Sequence, residues 1–305
     1  MILEGGNVMK KVLVTGAGGY LAGVLIHDLL INNYTVVAAT SNASILRNKL
    51  LNVKVIENKD LWENNNLLKD IDVLIHCAFS RRYKPEKEIA ESITFSNNIF
   101  RLSELLGVKA IINISSQGVY GMQKEIRTEL TPPAPTMVYT MAKYSTEILL
   151  ENICNYNKDL KFTNLRLDSI IENQRITQMF IQQAIENKQI NIVGGKQIFS
   201  FLSALDFSRA IISLLKVSQA KWEKVYNIGW NNKRYNIVGL AEIVANISKR
   251  ILNTDIKLEL KHEDIELYAG MNSQKFTTLT GWEPIYTVEY ILEKMFIDYI
   301  NQKEA

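Results

Sequence analysis

A tyrosine and a lysine four residues apart are the first pair in the sequence that could do chemistry. Tyr139 and Lys143 belong to the segment YTMAK, near the start of a stretch whose apolar spacing predicts a helix over Val138–Tyr156. One helical turn places the two side chains on the same face, where the ammonium can stabilise a phenolate. Because tyrosine has an ordinary pKa of about 10, a neighbouring cation is what makes it a usable acid or base near neutrality. A tyrosine and a lysine at this spacing are common on helix surfaces, so the surrounding sequence decides whether the pair is functional.

A serine pair earlier in the chain supplies that context. The segment SSQGVYG, residues 115–121, stands at the end of an apolar run, Ala110–Ser115, that predicts a buried strand. Open parallel α/β sheets bind their ligands at the carboxyl ends of the strands. The hydroxyl of Ser116 can therefore hydrogen-bond the substrate oxygen that Tyr139 protonates or deprotonates.

A glycine-rich segment near the start of the chain predicts a dinucleotide site. TGAGGYLA, residues 15–22, follows a predicted strand at Lys11–Thr15 and opens a predicted helix at Tyr20–Ile31. In this context Gly16 allows the tight turn, and Gly19 lets the backbone approach a pyrophosphate. The N-terminus of the helix then offers unpaired N–H groups to the phosphates.

The residues after the second predicted strand, Tyr34–Thr40, bear on which nicotinamide cofactor binds. Dinucleotide-binding folds usually carry an acidic residue there, which accepts hydrogen bonds from the adenosine ribose. This chain has Thr40 and Ser41 instead, so no carboxylate repels a ribose 2′-phosphate, and Arg47 could attract one. NAD and NADP both remain open. Asp60, after a weaker third strand, stands where it could accept a hydrogen bond from the adenine amino group.

A parallel sheet is needed to bring these motifs together. Apolar, β-branched runs alternate with helical patterns through the first half of the chain, which is the order of βαβ units. The other predicted elements of that half are strands at Asp72–Ala78 and Phe162–Leu167 and a helix at Glu88–Leu106. The predicted fold is α/β, a Rossmann-type doubly wound parallel sheet with a smaller C-terminal α/β substrate domain.

In the second half of the chain the regular alternation of strands and helices gives way to shorter elements of mixed type. Its predicted elements are helices at Ser203–Lys216, Val238–Leu252 and Val288–Ile300 and a short strand at Val225–Ile228. We expect the structured chain to begin near Met9, with a dinucleotide-binding domain over residues 9–168. Residues 169–305 are predicted to form mainly the substrate domain, from which about 200–230 return to the first domain.

The composition excludes several other classes of protein. The 305 residues carry 35 Lys and Arg against 32 Asp and Glu, and a net charge of +3 is too small for the electrostatic footprint of a nucleic-acid binder. Cys77 and Cys154 are too few for a disulfide framework or a structural metal site, and they fit a reducing cytoplasm. No apolar run reaches the roughly 18 residues of a membrane span. We expect a cytoplasmic protein without a nucleic-acid partner, a membrane partner or a metal.

Together the motifs resemble an extended short-chain dehydrogenase/reductase of the NAD-dependent epimerase/dehydratase family. The resemblance covers about residues 10–300 and rests on TGAGGYLA, DVLIHCAF, SSQGVYG and YTMAK, and more loosely on NIVGGKQIFSFLSALDFSRAI, YNIG and TGWEP. It implies that Ser116 orients the substrate and that Tyr139 is the acid/base. It also implies that Lys143 holds the nicotinamide ribose and lowers the pKa of Tyr139.

The resemblance adds expectations about ligands and assembly. Family members commonly act on nucleotide-linked sugars, often at C4, by hydride exchange with a nicotinamide, and they form homodimers beside the helix that bears Tyr139 and Lys143. Besides these two residues, the predicted contacts of the cofactor, NAD or NADP, are Gly16, Gly19, Tyr20, Leu21, Thr40, Ser41, Asp60, Leu61, Ala78 and Phe79.

Several residues depart from the family's substrate-side pattern. Residues 117–118 are Gln-Gly where dehydratases have adjacent acids, which disfavours elimination of water. Ser169 replaces the usual substrate-binding asparagine. The arginine that often grips the nucleotide pyrophosphate is replaced by Phe199 or a neighbour, and Lys196 could substitute for that arginine. Arg81, Arg82 and Lys84, in the loop after the fourth strand, could supply another anion contact.

Three functions follow from this pattern. The first is hydride transfer at C4 of a nucleotide-activated sugar, either as a C4 epimerase or as a 4-ketosugar reductase. The second, motivated by the altered substrate-side residues, is a carbonyl reductase or alcohol dehydrogenase for a non-sugar substrate. The third is a non-catalytic regulator that senses NAD(P), although such proteins usually lose the tyrosine and lysine that this chain keeps.

Overall fold

The computed structural model describes residues 11–48, 50, 53–63, 68–231 and 233–304, so the predicted start near Met9 lies outside the described residues. The strands are β1 Lys11–Thr15, β2 Thr35–Thr40, β3 Lys54–Glu57, β4 Val73–His76, β5 Ala110–Ser116, β6 Lys161–Leu167, β7 Ser169–Ile170, β8 Gln189–Gly194, β9 Ile198–Phe199, β10 Phe201–Leu202, β11 Val225–Ile228, β12 Tyr235–Asn236 and β13 Lys257–His262. The helices are α1 Tyr20–Ile31, α2 Ala43–Arg47, α3 Asp60–Glu63, α4 Glu86–Leu105, α5 Val138–Tyr156, α6 Arg175–Asn187, α7 Ala204–Leu215, α8 Ile237–Leu252, α9 Gln274–Thr280 and α10 Val288–Glu304.

A parallel sheet organises the first half of the chain. Within the described residues seven strands join in the order β11-β6-β5-β4-β1-β2-β3, and each neighbouring pair is parallel. The chain runs from β1 outward to β3 and then resumes on the other side of β1 with β4. Such a reversal opens a crevice at the carboxyl ends of β1 and β4, where ligands bind in this architecture. The predicted Rossmann-type doubly wound sheet is confirmed.

Both faces of this sheet are buried, which explains the apolar runs in the sequence. In β1, Val12 and Val14 pack with α1 and α7 on one face, and Leu13 packs with α4 and α5 on the other. All three side chains are buried. A parallel strand covered on both faces reads as a continuous apolar segment rather than an alternating one.

A separate core holds the smaller part of the fold together. Helices α6, α8 and α10 pack with β8 around Phe180, Leu240 and Phe296, all fully buried. The short pairs β13–β8, β12–β9 and β10–β7 complete this part. Strand β11 comes from the second half of the chain and pairs with β6 in the main sheet, which supports the proposed return of residues 200–230 to the first domain.

Strand β4 is shorter than the predicted strand Asp72–Ala78. It ends at His76, and the next residues leave the sheet toward the glycine-rich turn. None of the helices in the described residues is long and apolar enough to cross a membrane.

Candidate active site

The glycine-rich turn after β1 is shaped for a dinucleotide. Gly16 has φ +69°, and a Cβ added to it would lie 2.7 Å from the backbone N and Cα of Ala78. Only glycine fits both the dihedral and the close approach. The turn closes through a 2.8 Å hydrogen bond from the N–H of Gly19 to the carbonyl of Gly16. No side chain caps α1 at Gly19, so the N–H groups of its first turn are free to bind phosphate oxygens. These residues fit the pyrophosphate of NAD or NADP.

The end of β2 lies directly beside this turn. A Cβ on Gly18 would be 3.0 Å from the hydroxyl oxygen of Thr40, whose side chain is buried. Ser41, the next residue, is exposed. Arg47 donates from Nε and Nη2 to the carbonyl of Val55 at 3.4 Å. Hydroxyl groups therefore stand where the ribose of the adenosine is predicted.

The two predicted adenine contacts, Asp60 and Leu61, also stabilise the fold. One carboxylate oxygen of Asp60 accepts a 2.9 Å hydrogen bond from the N–H of Glu57 and so closes the turn between β3 and α3. Leu61 is fully buried in the core beneath the sheet edge. The contact of both residues with adenine stays a prediction.

The predicted pyrophosphate contacts at the start of α1 differ in exposure. Tyr20 is 45% exposed, whereas Leu21 is partly buried against the core. Burial raises the pKa of Tyr20 to about 12, and the carboxylates of Glu172 and Asp298 add to the shift. The phenol of Tyr20 therefore stays neutral between the glycine-rich turn and the second part of the fold.

His76, at the end of β4, is a core residue. Its Nδ1 lies 2.8 Å from the hydroxyl of Thr15, and its Nε2 lies 2.8 Å from the hydroxyl of Ser96. Ser96 donates its own proton to the carbonyl of Ser92, so it accepts from Nε2–H, and Nδ1 accepts from Thr15. Burial lowers the pKa of His76 to about 3, which keeps the ring neutral. The described residues contain no group of three His, Cys, Asp or Glu placed to hold a metal ion.

Phe79 joins the two residues of the YTMAK segment. Its ring meets that of Tyr139 edge-on, with 5.8 Å between the centroids. The ammonium of Lys143 lies 4.1 Å from the same Phe79 centroid and donates a 2.7 Å hydrogen bond to the carbonyl of Ile114. The loop after β4, the end of β5 and the first turns of α5 therefore meet at one place, next to the glycine-rich turn that Ala78 touches.

The pKa shifts of Tyr139 and Lys143 differ from the expectation that Lys143 lowers the pKa of Tyr139. Burial raises the pKa of Tyr139 to about 12, and the charge that opposes this shift belongs to Arg82 in the loop after β4. Burial lowers the pKa of Lys143 to about 8, partly offset by Cys77 and Glu147. The lowering of the Tyr139 pKa by Lys143 stays a prediction. Arg82 belongs to the charged loop that the sequence marked as an anion contact, and its influence on Tyr139 was not predicted.

A glycine lets the segment after Ser116 pack against the start of α5. Ser116 ends β5, and its hydroxyl oxygen accepts a 3.1 Å hydrogen bond from the N–H of Gly118. A Cβ on Gly118 would lie 2.5 Å from Cγ2 of Thr140, so the glycine lets this segment pack against the first turn of α5. The predicted Ser116, Tyr139 and Lys143 thus belong to segments in direct contact.

A buried polar network lies behind Ser116. The amide nitrogen of Gln117 donates to the Asp168 carboxylate and, at 3.2 Å, to the hydroxyl of Ser169. Ser200 donates to the other oxygen of Asp168. Burial raises the pKa of Asp168 to about 6. Gln117 is therefore turned toward the strands that carry the predicted substrate residue Ser169.

The other predicted substrate residues have partners at the surface. Arg81 donates a 2.9 Å hydrogen bond to the hydroxyl of Tyr83, and the side chains are exposed. Lys196 forms a 2.8 Å ion pair with Asp264, with 67% and 80% of the two side chains exposed. Neither of these contacts involves the residues around Tyr139.

Comparison with known proteins agrees with this geometry. The model of the NAD dependent epimerase/dehydratase family matches residues 12–229. A dTDP-D-glucose 4,6-dehydratase from Homo sapiens is 26% identical over 315 residues, 92% of this chain and 87% of the relative.

Solved structures show the same fold. A UDP-glucose 4-epimerase from Thermotoga maritima with UDP-glucose has a TM-score of 0.82 at 20% identity, covering 97% of this chain and 100% of that one. A UDP-glucuronic acid 4-epimerase from Bacillus cereus, in complex with UDP-glucuronic acid and NAD, has a TM-score of 0.79 at 23% identity, covering 96% and 99%. The chain therefore belongs to the NAD dependent epimerase/dehydratase family and is an enzyme of the extended short-chain dehydrogenase/reductase type.

Proposed function

We propose that this protein is an NAD-dependent C4 epimerase that acts on a nucleotide-activated sugar. The observation that carries the proposal is the meeting of Phe79, Tyr139 and Lys143 beside the turn at Gly16. An acid/base tyrosine and a buried ammonium at the edge of a dinucleotide cradle are the parts that hydride exchange at a hydroxyl-bearing carbon needs. The named substrates of the structural neighbours, UDP-glucose and UDP-glucuronic acid, support the substrate class.

Each side chain then has a role in the reaction. When bound, the nicotinamide supplies the hydride acceptor and donor. Tyr139 takes the proton of the C4 hydroxyl as that carbon is oxidised to a ketone, and it returns the proton when the ketone is reduced from the other face. Ser116 hydrogen-bonds the same oxygen. Lys143 holds the nicotinamide ribose, and its positive charge favours the phenolate.

The residues after Ser116 favour epimerisation over dehydration. Elimination of water needs an acid to protonate the leaving hydroxyl and a base to remove a proton from carbon. Gln117 provides neither, because its amide donates to Asp168 and Ser169, and Gly118 has no side chain. The human dehydratase relative therefore indicates the family better than the reaction.

A second candidate is an NADP-dependent 4-ketosugar reductase. It is favoured by the end of β2, where Thr40 and the exposed Ser41 replace the usual acid and leave room for a 2′-phosphate. A reductase releases the oxidised cofactor after each turnover, whereas an epimerase reuses it.

Product analysis separates these reactions. The purified protein is incubated with UDP-glucose, UDP-glucuronic acid and dTDP-glucose in the presence of NAD, and the sugars are followed by NMR. The proposal predicts a C4 epimer without loss of water and without net change in NADH. Loss of water would identify a dehydratase. In a parallel assay with a nucleotide-linked 4-ketosugar, consumption of NADPH would identify the reductase. Turnover of small ketones but of no nucleotide sugar would overturn the assignment to sugars.

We also propose a homodimer formed beside α5. Val138, Met141 and Ile148 are exposed on α5 at spacings that put them on one face, next to α4. A second copy of the chain would bury this apolar strip. Sedimentation velocity should give a dimer for the wild type and a monomer for a Met141→Lys, Ile148→Lys double variant. A monomeric wild type would contradict the proposed dimer.

The cysteines bear on the proposed cytoplasmic location. Cys77 and Cys154 are both free thiols. Burial raises the pKa of each to about 12, so both remain protonated and unreactive at neutral pH. Stable free thiols fit a reducing compartment.

A further inference from the structure

Arg234 has an unusual environment for an arginine. Its Nη1 donates a 3.0 Å hydrogen bond to the carbonyl of Lys124. Its Nε and Nη2 are buried, and neither has a hydrogen-bond partner in the described part of the chain. Buried guanidinium donors are normally satisfied by an acceptor, and an unsatisfied group calls for an explanation such as a bound ion or ligand.

Arg234 lies one contact away from the segment that carries Ser116. A Cβ on Gly270 would be 2.6 Å from Nε of Arg234, so only a glycine lets the two approach. The N–H of the same Gly270 donates to the side-chain oxygen of Gln117 at 3.4 Å. The unsatisfied donors of Arg234 are therefore close to the substrate side of the site rather than on a remote surface.

The charges around Arg234 do not neutralise it. Arg127, a second arginine, is buried nearby, and its Nε also lacks a partner among the described residues. The buried carboxylate of Asp168 interacts electrostatically with both Arg127 and Arg234. The carboxylate of Asp168 is already occupied by Gln117, Ser200 and the N–H of Ser169. Two guanidinium groups thus share one carboxylate that is already hydrogen-bonded, and the excess positive charge favours binding of an anion.

Strand pairing connects Arg234 with the position of Phe199. Strands β12 and β9 are antiparallel, with Tyr235 opposite Phe199 and Asn236 opposite Ile198. Continued by one residue, this register sets Arg234 opposite Ser200, next to Phe199. The substitute predicted from the sequence, Lys196, is instead exposed and paired with Asp264.

We propose that Arg234 binds the diphosphate group of the substrate and takes the role for which an arginine was expected at Phe199. The inference rests on the proposed action on nucleotide sugars. A guanidinium offers two parallel N–H donors, which match the oxygens of a phosphate. The Nη groups of Arg127 are held in place by Gln117 and by main-chain carbonyls. The charge of Arg127 therefore adds to the positive potential around Arg234.

Calorimetric titration with UDP, dTDP and inorganic pyrophosphate tests this role without relying on turnover. Arg234→Met should weaken binding of each by about tenfold or more, the usual consequence of losing charge-assisted hydrogen bonds. NAD binding, measured in parallel, should be unchanged and reports that the variant is folded. Arg250→Met is the matched control, because Arg250 is an exposed arginine on α8 paired with Glu293 at 2.6 Å.

The outcomes separate this inference from the proposed function. If the wild type binds a nucleoside diphosphate and Arg234→Met binds it equally well, or if Lys196→Met carries the loss, the role of Arg234 is wrong and the proposed function stands. If only pyrophosphate binds, in an Arg234-dependent manner, the site stands and action on a nucleotide sugar is wrong. Absence of binding of all three overturns both. Arg234→Lys keeps the charge without the planar fork and should show an intermediate loss, so it serves if the methionine variant does not fold.

Discussion

Lys143 donates a 2.7 Å hydrogen bond to the carbonyl oxygen of Ile114, and this contact ties helix α5 to strand β5. The ammonium is buried and lies 4.1 Å from the centroid of the Phe79 ring. A buried ammonium loses much of its hydration, which explains why burial lowers the pKa of Lys143 to about 8. The residue is therefore poised to gain or lose its charge close to physiological pH.

The pH dependence of turnover should report this lysine. The active form pairs a Tyr139 phenolate with a charged Lys143, and it holds the same number of protons as the form in which both groups are neutral. Because the pKa of Lys143, about 8, lies below that of Tyr139, about 12, kcat/KM should rise with pH up to about 8 and then level off. Lys143→Met should be slow at every pH and should keep rising above pH 8. A wild-type profile that keeps rising to pH 10, the ordinary range of lysine, would contradict the assignment.

Arg82 should affect the height of the same profile. Its positive charge opposes the burial that raises the pKa of Tyr139. Removing the charge in Arg82→Gln should raise that pKa further and lower the plateau of kcat/KM, because the phenolate becomes scarcer. Lys84→Gln is the control, because Lys84 lies in the same loop but pairs with Glu88 at 3.6 Å. Equal profiles for the Arg82 and Lys84 variants would exclude a specific action of Arg82 on Tyr139.

Two glycines of the first βα unit should respond oppositely to alanine. Gly16→Ala puts a side chain at φ +69° and against the backbone of Ala78, and should destabilise the fold by at least about 1–3 kcal/mol and abolish NAD binding. Gly23 lies inside α1 with open space around it, so Gly23→Ala should stabilise by about 0.5–1 kcal/mol. Denaturant unfolding and NAD titration measure both. A Gly16→Ala protein that binds NAD like the wild type would show that the turn is not the cradle.

The sequence predicted the first half of the fold closely because the strands of the main sheet are buried on both faces and therefore appear as continuous apolar segments. The strand β1 and the helices α1 and α5 have the predicted bounds, and so does β11, which comes from the second half of the chain but joins the main sheet. In the second half the signal is weak. Strand β13 is exposed at five of its six residues, and β9 has only two residues, so neither shows an apolar pattern.

The same limit applies to the site. The motif residues around Gly16, Ser116, Tyr139 and Lys143 could be found because local spacing marks them. The role of Arg234 could not, since it depends on the pairing of β12 with β9 and on the close approach of Gly270. Lys196 was the natural substitute in the sequence because it is close to Phe199 along the chain, and only the structure places it in an exposed ion pair.

The central claim is that Tyr139 performs proton transfer during hydride exchange at a sugar carbon. The most direct test compares wild type and Tyr139→Phe in single-turnover reactions with each convertible nucleotide sugar, following both the nicotinamide absorbance and the C4 configuration. The account predicts that Tyr139→Phe binds NAD and nucleotide sugar as the wild type does and reacts about 10² to 10⁴ times more slowly. A Tyr139→Phe enzyme that reacts at the wild-type rate would contradict it.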